Sequence, residues 1–211
     1  LHCDGYAGYN TLLNDPSIIG INCMAHVRRK FFEALPNGKL KGISGQVMRE
    51  IQALYHIESD LKKAAAPITA LFEARQQHAK PILNRLNAFL EEKKSSVLPQ
   101  SPLGKAIDYA LKRWHHLTTY LQDGRYEIDN NRAERAIKPF VIGRKNWLFS
   151  NTPSGAHSSA RLYTLIETAK ANGIHPDRYL NHLFKELPYC STLNHYENLL
   201  PWNLKPKPNS S

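Results

Sequence analysis

The chain has 211 residues, 42 % of them hydrophobic, and a formal net charge of +10 at pH 7. That is enough for one large domain, or one domain carrying an insertion, around a packed core. The positive balance points to a polyanionic partner. No apolar run approaches the roughly 18 residues of a membrane span, and no signal peptide is visible. The three cysteines, Cys3, Cys23 and Cys190, are odd in number and far apart. This argues against a disulfide framework and for a reducing, cytoplasmic compartment. The sequence opens on Leu1, on what reads as the end of a strand, and we expect a segment upstream of it.

Residues 1–3 are expected to close a strand that Asp4-Gly5 ends. Asn14-Asp15-Pro16 is a turn signal, and the apolar run Ile18–Cys23 after it predicts a buried strand. Met24, Val27, Phe31 and Leu35 follow at spacings of 3, 4 and 4, one stripe of a helix that Pro36-Asn37-Gly38 stops. A strand leading into a helix, with an acid at the end of the preceding strand, is an α/β signature.

The middle of the chain is helical. Val47, Ile51, Leu54 and Leu61 mark one helix. Leu71, Phe72, Leu83, Leu86, Phe89 and Leu90 mark a second, with a break or kink at Pro81. Ser101-Pro102 is a helix start, an N-cap followed by proline at the first helical position. From there Leu103, Ile107, Ala110, Trp114, Leu117 and Leu121 predict one continuous apolar seam that Asp123-Gly124 closes. Residues of about 40–124 therefore read as a helical block set into an α/β frame.

Asp129-Asn130-Asn131 begins the next helix, and Asn146–Phe149 is expected to be a short strand or extended segment. Ser154-Gly155 leads into a helix with Leu162, Leu165, Ile166 and Ala169, closed by Asn172-Gly173. Pro176 opens another with Tyr179, Leu180, Leu183 and Leu187, which Pro188 stops, and Lys205–Pro208 predicts an extended tail.

The richest stretch chemically is Asp129–Pro139 with Gly143–Phe149. It sets Asp129 and Glu134 among Arg132, Arg135, Lys138, Arg144 and Lys145. Carboxylates that ligate a divalent metal, surrounded by cations that take phosphates, suit a phosphodiester site. Local readings compete with this one. Glu134 also fits the N3 position of a capping arrangement and an i,i+4 pair with Lys138. Asp129 fits an N-cap or turn better than a ligand. Asp4 fits a plain Asp-Gly turn as well as a metal ligand beyond a strand end. Arg28, Arg29 and Lys30 lie off the apolar stripe of their helix and add to the cationic surface. Cys23 and His26 have a metal-like spacing but no second pair, which favours a buried thiol and a polar residue at a helix start. His115-His116 reads as surface. No P-loop, dinucleotide glycine pattern or nucleophile elbow is present.

These blocks resemble one family, the DDE transposases of insertion sequence 66. The likeness runs through Asp4-Gly5-Tyr6-Ala7-Gly8-Tyr9, then Cys23, Ala25, His26 and Arg28-Arg29-Lys30-Phe31. It continues in Ser101–Ala106, Tyr109-Ala110-Leu111 and Trp114, and is most specific in Ile128–Asn131, Glu134–Ile137 and Gly143–Phe149. It closes in Ala171–Ile174 and Leu199–Asn203. The resemblance implies an α/β fold: a truncated ribonuclease-H-like core, a large, mainly α-helical insertion, and C-terminal helices. Residues 1–35 would belong to the core, 36–125 to the insertion, 126–160 to the rest of the core with its glutamate helix, and 161–211 to a helical segment and tail.

The resemblance implies Asp4 and Glu134 as catalytic, metal-binding acids and Mg²⁺ or Mn²⁺ as cofactor. It implies two-metal phosphoryl transfer on DNA, at transposon ends and target; a homo-oligomer is left open as a partner state, and no membrane partner is expected. DNA contacts would come from Arg28, Arg29, Lys30, Arg132, Arg135, Lys138, Arg144 and Lys145. The family's first aspartate would lie upstream of Leu1, so this chain alone is expected to be inactive. The other readings are a non-enzymatic basic helical protein that binds nucleic acid, and a decayed element remnant.

Overall fold

The computed structural model describes residues 1–147 and 150–204. Two parallel strands, β1 (His2–Cys3) and β2 (Ile21–Asn22), pair His2 with Ile21 and Cys3 with Asn22. They are the only strands among the described residues. The rest is helical, so the chain is a helix-dominated protein with a small parallel sheet, compatible with an α/β class. The backbone divides into two compact units, Leu1–Arg132 and Ala133–Ser211.

In the first unit the strand expected over Ile18–Cys23 narrows to Ile21–Asn22. The preceding residues are spent on a turn in which Asp15 accepts hydrogen bonds from the backbone and hydroxyl of Ser17. The link from β1 contains a 3₁₀ turn (Ala7–Tyr9) and the short helix α1 (Asn10–Leu13). Helix α2 (Met24–Glu33) follows β2 directly. The predicted stripe is its buried face: Met24, Val27, Phe31 and Leu35 are all buried, and Arg28, Arg29 and Lys30 are exposed.

Helix α3 (Gly42–Lys63) buries Val47, Ile51 and Leu54, while Leu61 is half-buried. The break expected near Pro81 takes a specific form. Helix α4 (Ile68–Ala74) widens into one π-helical stretch, Arg75–Ala79, before α5 (Lys80–Lys94). Pro81 then sits in the first turn of α5, where its missing N–H costs least. Leu83, Leu86 and Leu90 face the core, but Phe72, expected there, is 40 % exposed.

Ser101 caps α6 (Pro102–Lys112), its hydroxyl accepting from the Gly104 amide at 3.0 Å. The seam from Leu103 to Leu121 is not one helix. The backbone leaves helical geometry at Arg113 (φ −110°, ψ 5°), and α7 (Trp114–Thr118) and a 3₁₀ turn (Thr119–Gln122) complete it. Ile107, Ala110, Leu117 and Leu121 are buried; Leu103 and Trp114 are half-buried.

One apolar cluster joins Ile21, Met24, Val27 and Phe31 to residues of α3, α5, α6 and α7. The strand–helix start and the helical block therefore share a core. Burying each such aliphatic side chain contributes about 1.5–3 kcal/mol. Inside this core lies an ion pair. Arg75 (1 % exposed) meets Glu58 (3 %) through Nε and Nη2, both at 2.8 Å. Its other donors go to the carbonyls of Tyr120 (2.9 Å), Asp123 (2.7 Å) and Tyr126 (2.8 Å). All five guanidinium donors are thus used, and the group lies 5.1 Å from the Tyr120 ring centre.

The second unit holds most of α8 (Asn131–Trp147), then α9 (Pro153–Ala171), α10 (Pro176–Glu186) and α11 (Leu193–Asn198). Because α8 runs through Trp147, the extended segment expected from Asn146 is corrected to helix there; Leu148 and Phe149 lie outside the described residues. Thr152, two residues before the expected Ser154, caps α9 by accepting from the Gly155 amide. Gly173, at φ +72°, ends α9 as its position predicted. Ala169, Tyr179, Leu183 and Leu199 form the unit's core, and Tyr179 donates to the Leu199 carbonyl at 3.2 Å. The expected tail, Lys205–Pro208, lies outside the described residues. No described helix is long and apolar enough to cross a membrane.

Candidate functional site

Asp4 follows β1 at the carboxyl end of the parallel pair, where α/β proteins gather ligands. The expected Asp-Gly turn is present at this residue. Its Oδ1 accepts from the Tyr6 amide at 2.9 Å, an Asx turn, and Gly5 turns the chain at φ +82°. Its Oδ2 takes no hydrogen bond from a described residue and can serve a ligand.

Two side chains of the helical block hold this turn. Tyr109, on α6, donates its hydroxyl hydrogen to the Asp4 carbonyl. Arg113 donates from Nη2 to the Gly5 carbonyl at 3.0 Å. Burial, opposed by Arg113 and reinforced by Asp4, pushes the Tyr109 phenol above its ordinary pKa, so it stays a donor.

Asp129 is a turn and helix-start residue. Oδ1 accepts from the Asn131 amide at 3.1 Å; Oδ2 accepts from the Asn131 side chain at 2.7 Å and the Tyr55 hydroxyl at 2.8 Å. Burial first, then Asp129, raises the pKa of Tyr55. The segment is also tied to α2: the Met24 amide donates to the Ile128 carbonyl at 3.1 Å, and the Asn130 amide to Cys23 Sγ at 3.5 Å. Cys23 is a buried thiol whose pKa is raised mainly by desolvation. His2, across the sheet, has a lowered pKa; burial outweighs the attraction of Asp129, and its Nε2 is buried without a hydrogen-bond partner among the described residues.

Glu134 lies in the first turn of α8 and belongs to the second unit, whereas Asp4 belongs to the first. Among the cations expected to meet phosphate, Arg28, Arg29 and Lys30 form an exposed run on α2. Arg132, Arg135, Lys138, Arg144 and Lys145 are exposed along α8. His115 is exposed and His116 half-buried, with its Nδ1 3.2 Å from the Gly20 carbonyl oxygen. Among the described residues no three His, Cys, Asp or Glu side chains gather as a metal cage.

Four residues that shape this region escaped the sequence reading as such: Tyr55, Arg75, Tyr109 and Arg113. The i,i+4 spacing of Tyr109 and Arg113 was the one available signal, and the guanidinium does lie 4.1 Å from that ring centre. The partners of Tyr55 and Arg75 are distant in sequence and left no local trace.

A family model described as "Transposase IS66 family" matches residues 1–158, and one described as "IS66 C-terminal element" matches residues 164–202. Among curated proteins, the "Uncharacterized protein y4jD" of Sinorhizobium fredii (strain NBRC 101917 / NGR234) is 34 % identical over 214 residues, covering 97 % of this chain and 41 % of that protein. The "Uncharacterized protein y4qI" of the same strain is 33 % identical over 213 residues, covering 98 % of this chain and 39 % of its own length. The chain thus spans about two-fifths of the relatives it matches. No solved structure matches it.

Proposed function

The chain belongs to the transposase IS66 family, and on that footing we propose that it is the carboxy-terminal part of a DNA transposase with a ribonuclease-H-like core. Asp4 and Glu134 are its two catalytic acids in this reading. The observation that carries it is the position of Asp4. The family match begins over it, it stands at the carboxyl end of a parallel strand, and one of its oxygens is uncommitted.

The donors present fit a hard divalent cation. Carboxylate oxygens suit Mg²⁺ or Mn²⁺, and Asp4 Oδ2 and the Glu134 carboxylate would hold it, with the family's first aspartate completing the set. Bound there, such ions supply an activated water or 3′-hydroxyl and charge for the leaving oxygen. The chain's own residues do the rest. Tyr109 and Arg113 hold the Asp4 and Gly5 carbonyls, the backbone that follows the Asp4 side chain, so the carboxylate needs little reorganisation. Arg28, Arg29, Lys30 and the cations of α8 neutralise DNA phosphates and set the register of the duplex.

The test compares the purified 211-residue chain with a longer protein that carries the first aspartate, on element-end DNA with Mg²⁺ or Mn²⁺. The longer protein should cleave, its Glu134→Gln variant should not, and the chain alone should be inert. Cleavage by the longer protein that survives Glu134→Gln rejects the site assignment. Cleavage by the chain alone that vanishes in Glu134→Gln rejects its inactivity.

A further inference from the structure

We propose that Arg113 is a phosphate-binding residue, which takes a phosphodiester of the nucleic acid beside Asp4. The contrast with Arg75 carries the argument. Arg75 is buried, paired with Glu58, and has every donor occupied. That is an arginine whose role is complete within the fold.

Arg113 differs in each respect. It is half-buried, and no described carboxylate forms an ion pair with it. Its partners are all neutral: the Gly5 carbonyl at 3.0 Å, the Tyr109 carbonyl at 3.4 Å and the face of the Tyr109 ring. Two of the five guanidinium donors are used, and the remaining three have no described acceptor. A partly desolvated cation without a counter-ion is costly. A phosphate oxygen is the acceptor whose charge and shape match an arginine fork.

The surroundings hold that fork in place. Stacking on Tyr109 fixes its plane, so little side-chain freedom is lost on binding. Gly5 makes room for it. A Cβ at Gly5 would lie 2.1 Å from Arg113 Nε, and the residue also sits at φ +82°. The chain thus presents a carboxylate at position 4 and a guanidinium over position 5. A phosphodiester held at Asp4 through a divalent metal would be stabilised by that pairing, the guanidinium adding positive charge beside it. The inference rests on the reading of Asp4 as a metal-binding acid of a DNA site.

The experiment measures duplex DNA binding by fluorescence anisotropy across a salt series. Arg113→Gln should lower the slope of log K against log salt by about one unit, the mark of one lost phosphate contact. Arg113→Lys should keep the slope and bind more weakly, because a point charge cannot use the fork. An unchanged slope in a folded Arg113→Gln overturns the proposal. Should that variant not fold, Arg113→Lys decides: weaker binding supports the proposal and wild-type affinity overturns it. Inorganic phosphate at matched ionic strength should not displace DNA; displacement that depends on Arg113 would assign the site to free phosphate instead. The Asp4 reading fails separately. Asp4→Asn should remove the Mg²⁺ dependence of binding and leave the salt slope unchanged.

Discussion

Tyr55, on α3, donates its hydroxyl hydrogen to Asp129 Oδ2 at 2.8 Å, across 74 residues of sequence. This bond ties the helical block to the residue two positions ahead of α8, and α8 carries Glu134. Lys62 pairs with Glu127 nearby, and Arg75 holds the carbonyls of Tyr120, Asp123 and Tyr126. The approach to α8 is therefore pinned from the helical block.

Replacing Tyr55 with phenylalanine keeps the ring and deletes this bond. A hydrogen bond to a charged acceptor is worth about 1.5–3 kcal/mol, and Tyr55→Phe should lose that much in urea unfolding. A midpoint equal to the wild type's would show that the bond contributes nothing.

Arg75→Met should cost about 3–5 kcal/mol, because Glu58 is left buried and uncompensated. The double variant with Glu58→Leu removes that charge, but the carbonyls of Tyr120, Asp123 and Tyr126 still lose their donor. It should recover only part of the loss. Full recovery in a double-mutant cycle would mean that the three carbonyl contacts are energetically idle.

His2 gives a pH dependence. Burial lowers its pKa in the folded chain, below the roughly 6.5 of an unfolded chain. The unfolded state therefore binds the proton first. The stability that neutral His2 contributes is complete above that value and is lost as pH falls. Thermal unfolding of the wild type should weaken relative to His2→Asn between about pH 7 and pH 5. A constant difference across that window would contradict the buried, neutral imidazole.

The exposed Arg132 and Arg135 should each contact phosphate. Replacing both with glutamine should lower the salt slope of duplex binding by about two units and weaken all sequences alike. Loss confined to one sequence would instead indicate base contacts.

What the sequence revealed follows from the range of the interactions. The stripe of Met24, Val27, Phe31 and Leu35 and the cap at Ser101 depend on neighbours within one or two turns, and both are found as expected. Asp4 was legible for the same reason, because a strand end and an Asp-Gly turn are local. Arg75 and Glu58 were not. Charged residues on a helix read as solvated until a partner 17 residues away and carbonyls 45–51 residues away enclose them. The seam breaks at Arg113, whose side chain reaches the Gly5 turn 108 positions earlier. The helix continues through Asn146-Trp147, where an extended segment was expected.

The π-helical stretch sets the phase of everything after it. Its signature bond, from the Lys80 amide to the Arg75 carbonyl, spans five residues instead of four, so the stretch holds one residue more than an α-helix of equal rise. Arg75 and Ala79 are buried within it, and Leu83, Leu86 and Leu90 are buried along α5 beyond it. The same residues wound as plain α-helix throughout would turn α5 by about 100° relative to α4. Residue count between Arg75 and Lys80 is thus a constraint on the architecture in its own right, separate from the identity of the residues that fill it.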